Sequence, residues 1–237
     1  MSEKKRDVTP RAADRAAVDA FLRQVAATPA PPRAAGTRGR LIFAMDATAS
    51  REPSWDRACA IQGEMFAETA TLGGIEVQLV YYRGFGECRH TGWLADSSAL
   101  VRKMTAVSCL GGYTQIAKVL RHAIEETRGK KVDALVFVGD CVEEDADALC
   151  HLAGELGLLN VPVFIFHEGG SRTAGLVFRQ IAKLTRGAYC PFDAASARQL
   201  RELLSAVAVY AAGGRRALED FGRRVGGAAL RITSQIG

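Results

Sequence analysis

No apolar run in this sequence approaches the roughly 20 residues that a helical membrane span requires, and the charged start Met1-Ser2-Glu3-Lys4-Lys5-Arg6 leads into no segment of the signal-peptide kind. A cytoplasmic protein is the expectation. The six cysteines, Cys59, Cys88, Cys109, Cys141, Cys150 and Cys190, contain no CxxC pair. Their scatter argues against a zinc knuckle or a thioredoxin-type redox centre and predicts free, mostly buried thiols. The four histidines, His90, His122, His151 and His167, form no HExxH or HxH group, so zinc hydrolysis has no carrier. A GxGxxG fingerprint, a GxSxG elbow and an internal repeat are also missing.

What is present is 237 residues, 48% of them hydrophobic and 24% charged, enough for one sizeable domain with extensions. Lys and Arg number 31 against 26 Asp and Glu, a formal charge of +5. The basic residues concentrate near the two ends, so the excess implies no nucleic-acid role. Residues 1–39 read as an N-terminal extension. In it, Ala17, Phe21, Leu22 and Val25 recur at helical spacing between Pro10 and Ala27 before Pro29-Ala30-Pro31-Pro32 stops the helix. Residues 40–212 form the domain. Residues 213–237 form a basic tail with Arg215, Arg216, Arg223, Arg224 and Arg231 around Leu218, Phe221, Val225 and Leu230, open to two readings: an amphipathic helix docked on the domain or a partner, or a solvated extension.

Within the domain, strand and helix patterns alternate. Leu41 to Met45 is a short apolar run that ends at Asp46, the signature of a strand covered on both faces. An amphipathic helix is predicted from Pro53 to about Thr69, then a strand over 75–82. Gly84-Phe85-Gly86 turns the chain into an antiparallel return over 87–94. Asp96 caps a helix over 99–107, and another opens at Thr114. Residues 134–139 form a second strongly apolar strand that also ends in an aspartate, Asp140. There follow an acidic helix from about Glu144 to Leu156, a strand over 161–166, a helix over 174–184, a strand near 188–190 and a last helix over 195–212. The order predicts an α/β fold with a doubly wound, mostly parallel Rossmann-like sheet, one antiparallel edge strand, and helices on both faces.

Ligands of such sheets bind beyond the carboxyl ends of the strands, where strand order reverses. If the strands ending at Asp46 and Asp140 flank that point, the two carboxylates face each other. In Asp46-Ala47-Thr48-Ala49-Ser50 a carboxylate and two hydroxyls stand at alternate positions, and Thr114 follows Gly111 and Gly112, which let a loop approach closely. Carboxylates and hydroxyls are hard oxygen donors suited to Mg2+ or Mn2+. Each piece alone also has a structural reading, since an aspartate before hydroxyl residues is a common helix-entry cap.

The three pieces together resemble the metal-ion-dependent adhesion site of von Willebrand factor type A domains, written DxSxS, then a loop threonine, then an aspartate after a later strand. Asp46-x-Thr48-x-Ser50 resembles the first element with threonine for the first serine, Gly111-Gly112-Tyr113-Thr114 the second, and Val138-Gly139-Asp140 the third. The resemblance spans about Arg40 to Ala212, including the edge hairpin. It implies direct coordination of Mg2+ or Mn2+ by Thr48, Ser50 and Thr114, and direct or water-mediated coordination by Asp46 and Asp140. One position stays open for an acidic side chain of a partner protein. Arg51 and Tyr113, bordering the site, are expected to touch that partner. Family members work beside very different machines, AAA+ ATPases and chelatases among them, and the resemblance implies a bacterial-type member whose partner is another protein, an AAA+ ATPase-type assembly being one such partner.

No catalytic step is predicted. The alternatives are a metal-dependent phosphoester hydrolase using the same crevice and a metal-free scaffold. Gly170 to Gly175 has part of the spacing of a phosphate-binding loop, but Leu176 stands where lysine is needed. Thr48 occupies the position where a haloacid dehalogenase places its acid. Cys141 is expected as a packed thiol, Glu143 to Asp147 as a cap and solvated face, and Arg83, Arg89 and His90 as a solvated sheet edge.

Overall fold

Strand β1 (Gly39–Asp46) is buried at every position, as an uninterrupted apolar run must be when helices cover both its faces. The computed structural model describes residues 20–25, 27–28, 38–192 and 197–225. The other strands are β2 (Ile75–Arg83), β3 (Glu87–His90), β4 (Ala134–Gly139), β5 (Val163–Glu168) and β6 (Ala188–Phe192). They form one sheet in the order β3-β2-β1-β4-β5-β6, parallel throughout except for the edge pair of β2 and β3.

The helices are α1 (residues 20–25), α2 (Glu52–Ile61), α3 (Gly63–Thr69), α4 (Ser97–Thr105), α5 (Ile116–Gly129), α6 (Ala146–Leu158), α7 (Arg172–Leu184) and α8 (Ala197–Val225). Alternate β1 side chains point to opposite faces. Leu41, Phe43 and Met45 join a core with Phe21, Trp55, Met65, Leu100 and the apolar stripe of α8, while Ile42 and Ala44 join one with Val119, Leu152 and Phe178. This is the doubly wound arrangement that the alternating pattern predicts. Among the described residues, no helix is long and apolar enough to cross a membrane.

Four local expectations are revised. The helix expected over 53–69 divides into α2 and α3 at Gln62. The acidic helix begins at Ala146 rather than Glu144, because the Asp145 side chain caps it by accepting from the Ala148 amide at 2.7 Å. The hairpin return stops at His90, with a single further bridge between Val77 and Leu94. There the Thr91 hydroxyl accepts the Leu79 amide at 3.1 Å, putting a side chain where a ladder carbonyl would stand.

Finally, α8 runs beyond residue 212 to Val225, broken at Gly214 (φ 70°, ψ −163°), a conformation that glycine reaches without strain. Leu218 and Phe221 beyond the break are buried in the same core as α1. Of the two readings of the basic tail, docking on the domain therefore holds as far as Phe221. Residues 226–237 lie outside the described residues, as do 1–19 and 29–37, which carry most of the expected N-terminal helix and its Pro-rich linker. The Phe21 ring meets Phe164 and Phe166 edge-on at 6.1 and 5.3 Å, so the end of that helix also belongs to the core.

Candidate metal centre

Strand order reverses between β1 and β4, which pair directly in register from Leu41↔Ala134 to Met45↔Val138. The chain leaves β1 toward β2 on one side and β4 toward β5 on the other, opening the crevice in which such folds bind ligands. Asp46 ends β1 and Asp140 follows β4. Between them Gly139 admits no side chain, since a Cβ there would lie 2.8 Å from the Phe137 ring and 3.8 Å from the Asp46 Cβ.

The Asp46 carboxylate turns back on its own chain and accepts the Thr48 amide at 2.7 Å. The short 3-10 turn Ala49–Arg51 then brings the Thr48 and Ser50 hydroxyls to 3.4 Å from each other, and the Ser50 hydroxyl donates to Asp140 Oδ2 at 3.2 Å. Four of the five expected ligands thus form one continuous chain of contacts. Thr114 hydrogen-bonds to none of these four and is tied instead to the turn after β4: its amide donates to the Glu143 carboxylate at 2.8 Å and its hydroxyl accepts the Glu143 amide at 3.0 Å, three residues past Asp140.

The remaining carboxylate oxygens carry the chemical message. Asp46 Oδ2 and Asp140 Oδ1 are both buried without a hydrogen-bond partner, a condition costly for any carboxylate oxygen. Burial raises the Asp46 pKa, and the negative charge of Asp140 raises it further against the stabilising Thr48 hydrogen bonds. Tyr82, fully buried beside Asp46, has its phenol pushed well above its ordinary range by burial and by the Asp46 charge; its hydroxyl is also without a hydrogen-bond partner, and it favours the Asp46 carboxylate in return. A divalent cation would remove the repulsion and satisfy both orphaned oxygens. The donor set therefore fits a hard cation. Among the described residues no group of three or more His, Cys, Asp or Glu could hold a metal, so a site here depends on hydroxyl oxygens.

Arg51, expected at the rim as a partner contact, is instead 3% exposed. Its guanidinium lies 3.3 Å from Asp140 Oδ2, pairs with Glu168, and donates to the Ser54 hydroxyl at 2.7 Å. A guanidinium enclosed by these partners has no face left for another protein. Tyr113, in contrast, is 60% exposed. His167 is half of another brace: its Nε2 donates to the Asp140 carbonyl at 3.2 Å and its Nδ1 accepts the Tyr189 hydroxyl at 2.8 Å. This tautomer follows from the carbonyl's being able only to accept, and burial lowers the His167 pKa. The Cys141 thiol is pushed up to about 12 by burial and by Asp140, so it stays protonated and unreactive.

Sequence reasoning missed Ser54, Tyr82 and Glu168, which carry no local signature, and misassigned Glu143 and Glu144. The acidic stretch was visible, and Asp145 does cap α6, but the Glu143 and Glu144 carboxylates serve the loop before α5 and its first turn. Glu144 accepts the Ile116 and Ala117 amides at 2.5 and 2.8 Å, capping α5 from across the crevice.

No protein-family model matches the chain, and no curated protein matches it. Among solved structures it is similar to the SpRpn10 VWA domain, with 14% identity over 71% of this chain and 94% of that one at a TM-score of 0.56. It is similar also to the vWF domain of the type V pili tip protein Mfa5 from Porphyromonas gingivalis, with 11% identity over 73% and 95% at a TM-score of 0.53. Proximal thread matrix protein 1 from the mussel byssus, in a structure with a zinc-occupied MIDAS motif, matches with 16% identity over 73% of this chain at a TM-score of 0.57. The chain spans about half of that mussel protein, 48% of its length. With the strand order and the single antiparallel edge already established, these likenesses fix the architecture: the chain has the von Willebrand factor type A fold.

Proposed function

We propose that the chain is a protein-binding module of the cytoplasm whose crevice holds Mg2+ or Mn2+ and uses it to capture an acidic side chain of a partner protein. The supporting observation is the pair of buried, unpartnered oxygens, Asp46 Oδ2 and Asp140 Oδ1, in one crevice with the Thr48 and Ser50 hydroxyls. Asp46, Thr48, Ser50, Asp140 and Thr114 are the residues that would hold the ion. When bound, the ion supplies a positively charged, open coordination position that a carboxylate can fill. The zinc-occupied motif of the mussel protein is a precedent for a divalent ion in this fold. Arg51, itself paired with Glu168, holds the Asp140 carboxylate, and His167 holds its carbonyl. Residues 40–212 are the proposed binding unit, buttressed by α1 and the end of α8.

Calorimetric titration with Mg2+ and Mn2+ tests this reading. Binding that is lost in Asp46→Ala and in Thr114→Ala is the expected result. Equal affinity in the variants, or none in the unaltered chain, overturns it. Metal-dependent turnover of phosphate esters that Asp140→Ala abolishes would replace the module with a hydrolase.

A further inference from the structure

Three large apolar side chains break the usual rule of burial together. Phe85 is 81% exposed, Tyr113 60% and Leu110 53%, although they come from two separate segments: the turn after β2 and the loop that delivers Thr114. The Phe85 and Tyr113 rings meet edge-on at 5.3 Å between centroids, and a Cβ built on Gly84 would touch Leu110 at 3.4 Å. Half of the six exposed large hydrophobic residues among those described therefore gather in one patch. Exposed apolar groups scattered singly need no explanation; a cluster of aromatics does.

The backbone beneath the patch is pinned by hydrogen bonds. The Gly84 amide donates to the Leu110 carbonyl at 3.3 Å, the Tyr113 amide to the Gly84 carbonyl at 3.2 Å, and the Leu110 amide to the Ala47 carbonyl at 3.0 Å. Gln115 adds a bond from its side-chain amide to the Arg83 carbonyl at 3.2 Å. The Ala47 carbonyl belongs to the turn between Asp46 and Thr48, so the same strap ties the patch to the candidate metal centre. A preorganised surface loses little entropy on binding.

One cation beside the patch is left to meet an acidic visitor. Glu143 and Glu144 keep their negative charge but hold it on the amides of Thr114, Ile116 and Ala117, and Glu87 is ion-paired with Arg83 and Arg89. Lys118 is exposed, donates only to the Gly86 carbonyl and the Gln115 side chain at 2.8 and 2.9 Å, and has no carboxylate partner among the described residues. A second copy of the chain would bring a second unpaired Lys118 to the interface.

We propose that Phe85, Leu110 and Tyr113 form the apolar half of a composite docking surface whose other half is the metal centre. The partner segment carries an aspartate or glutamate with a bulky apolar residue close to it in sequence. Tyr113 adjoins Thr114 in sequence, so the two groups of the partner are close in its own sequence, and separations of about one to four residues, roughly 3.3 Å each in an extended chain, are the ones to test. The inference rests on the metal-dependent reading above, and exposed aromatics of this kind dominate the binding energy where they are buried by a partner.

The test uses the full chain and fluorescein-labelled peptides bearing one glutamate with phenylalanine at each of those spacings, beside matched Glu→Gln and Phe→Ser peptides, with Mg2+ or with chelator. Fluorescence anisotropy should show Mg2+-dependent binding only of peptides that keep both groups. Phe85→Ser and, independently, Leu110→Ser should weaken it about tenfold or more while calorimetric Mg2+ affinity stays unchanged. Equal peptide binding by those variants, equal binding of the Phe→Ser peptides, or no peptide binding by a chain that holds Mg2+ overturns the composite surface while leaving the metal reading intact. Failure to hold Mg2+ at all overturns both. Self-association that Phe85→Ser abolishes in sedimentation assigns the patch to a second copy instead.

Discussion

Thr114 and Glu143 grip each other in both directions: the Thr114 amide donates to the Glu143 carboxylate at 2.8 Å, and the Glu143 amide donates to the Thr114 hydroxyl at 3.0 Å. The grip joins the loop before α5 to the turn after β4, two segments with no covalent reason to meet. Glu143→Ala should cost about 1–3 kcal/mol in urea unfolding, the range for a hydrogen bond to a charged group with a donor left unpaired. It should also weaken Mg2+ binding in calorimetry, whereas Glu143→Gln, which keeps an acceptor oxygen, should lose much less. Unchanged metal affinity in Glu143→Ala would separate the grip from the site.

Among the described residues Arg51 is the cation that sits between the carboxylates of Asp140 and Glu168, at side-chain exposures of 4% for Arg51, 25% for Asp140 and 12% for Glu168. Removing one member of such a buried group leaves an unpaired charge, and Arg51→Met should destabilise by about 3–5 kcal/mol. Adding Glu168→Leu should restore part of that loss, so the double variant is more stable than the sum of the singles. Simple additivity in denaturant melts would show that the two do not act as a unit.

Gly112 passes the β2–β3 turn so closely that a Cβ on it would lie 1.9 Å from the Gly84 carbonyl oxygen. Because the obstacle is backbone, Gly112→Ala should force the two segments apart, at about 1–3 kcal/mol of stability, with lower Mg2+ affinity as Thr114 moves. Gly111→Ala is the control, since a Cβ there meets nothing within 4 Å. Equal thermal midpoints for the two variants would contradict the close approach.

His122 and His167 both have pKa values held below the ordinary 6.5, chiefly by burial. His90, stacked on His122 at 4.3 Å, lowers the His122 value further. At these two sites the unfolded chain therefore binds more protons than the folded one as pH falls through 6.5, and their contribution to stability falls with it. Urea midpoints should drop between about pH 7.5 and pH 5.5, and His122→Gln should flatten the slope. A stability that rises on acidification over this window would refute the assignment.

Much of the fold was legible because the strands of a doubly covered sheet cannot hide their apolar runs. Leu41 to Met45 and Ala134 to Gly139 each end in an aspartate, and the alternation between them admits few topologies. The capping of α4 by Asp96 was legible too, because donor and acceptor are three residues apart and meet at 2.8 Å. The tail beyond residue 212 was not: its arginines at the spacing of a solvated helix suit either reading, and only the hydrophobic surface available to Leu218 and Phe221 decides.

The sequence by itself determined which atoms could serve a hard cation, because side-chain chemistry is a local property: Asp46, Thr48, Ser50, Thr114 and Asp140 are oxygen donors in any conformation. It also determined the order of strands and helices, since hydrophobic period is written along the chain. Tertiary structure alone decided that Arg51 faces inward to Asp140 and Glu168, that Glu144 caps α5, and that Phe85 and Tyr113 touch. Each depends on a contact between segments distant in sequence, and such contacts are set by how the layers pack.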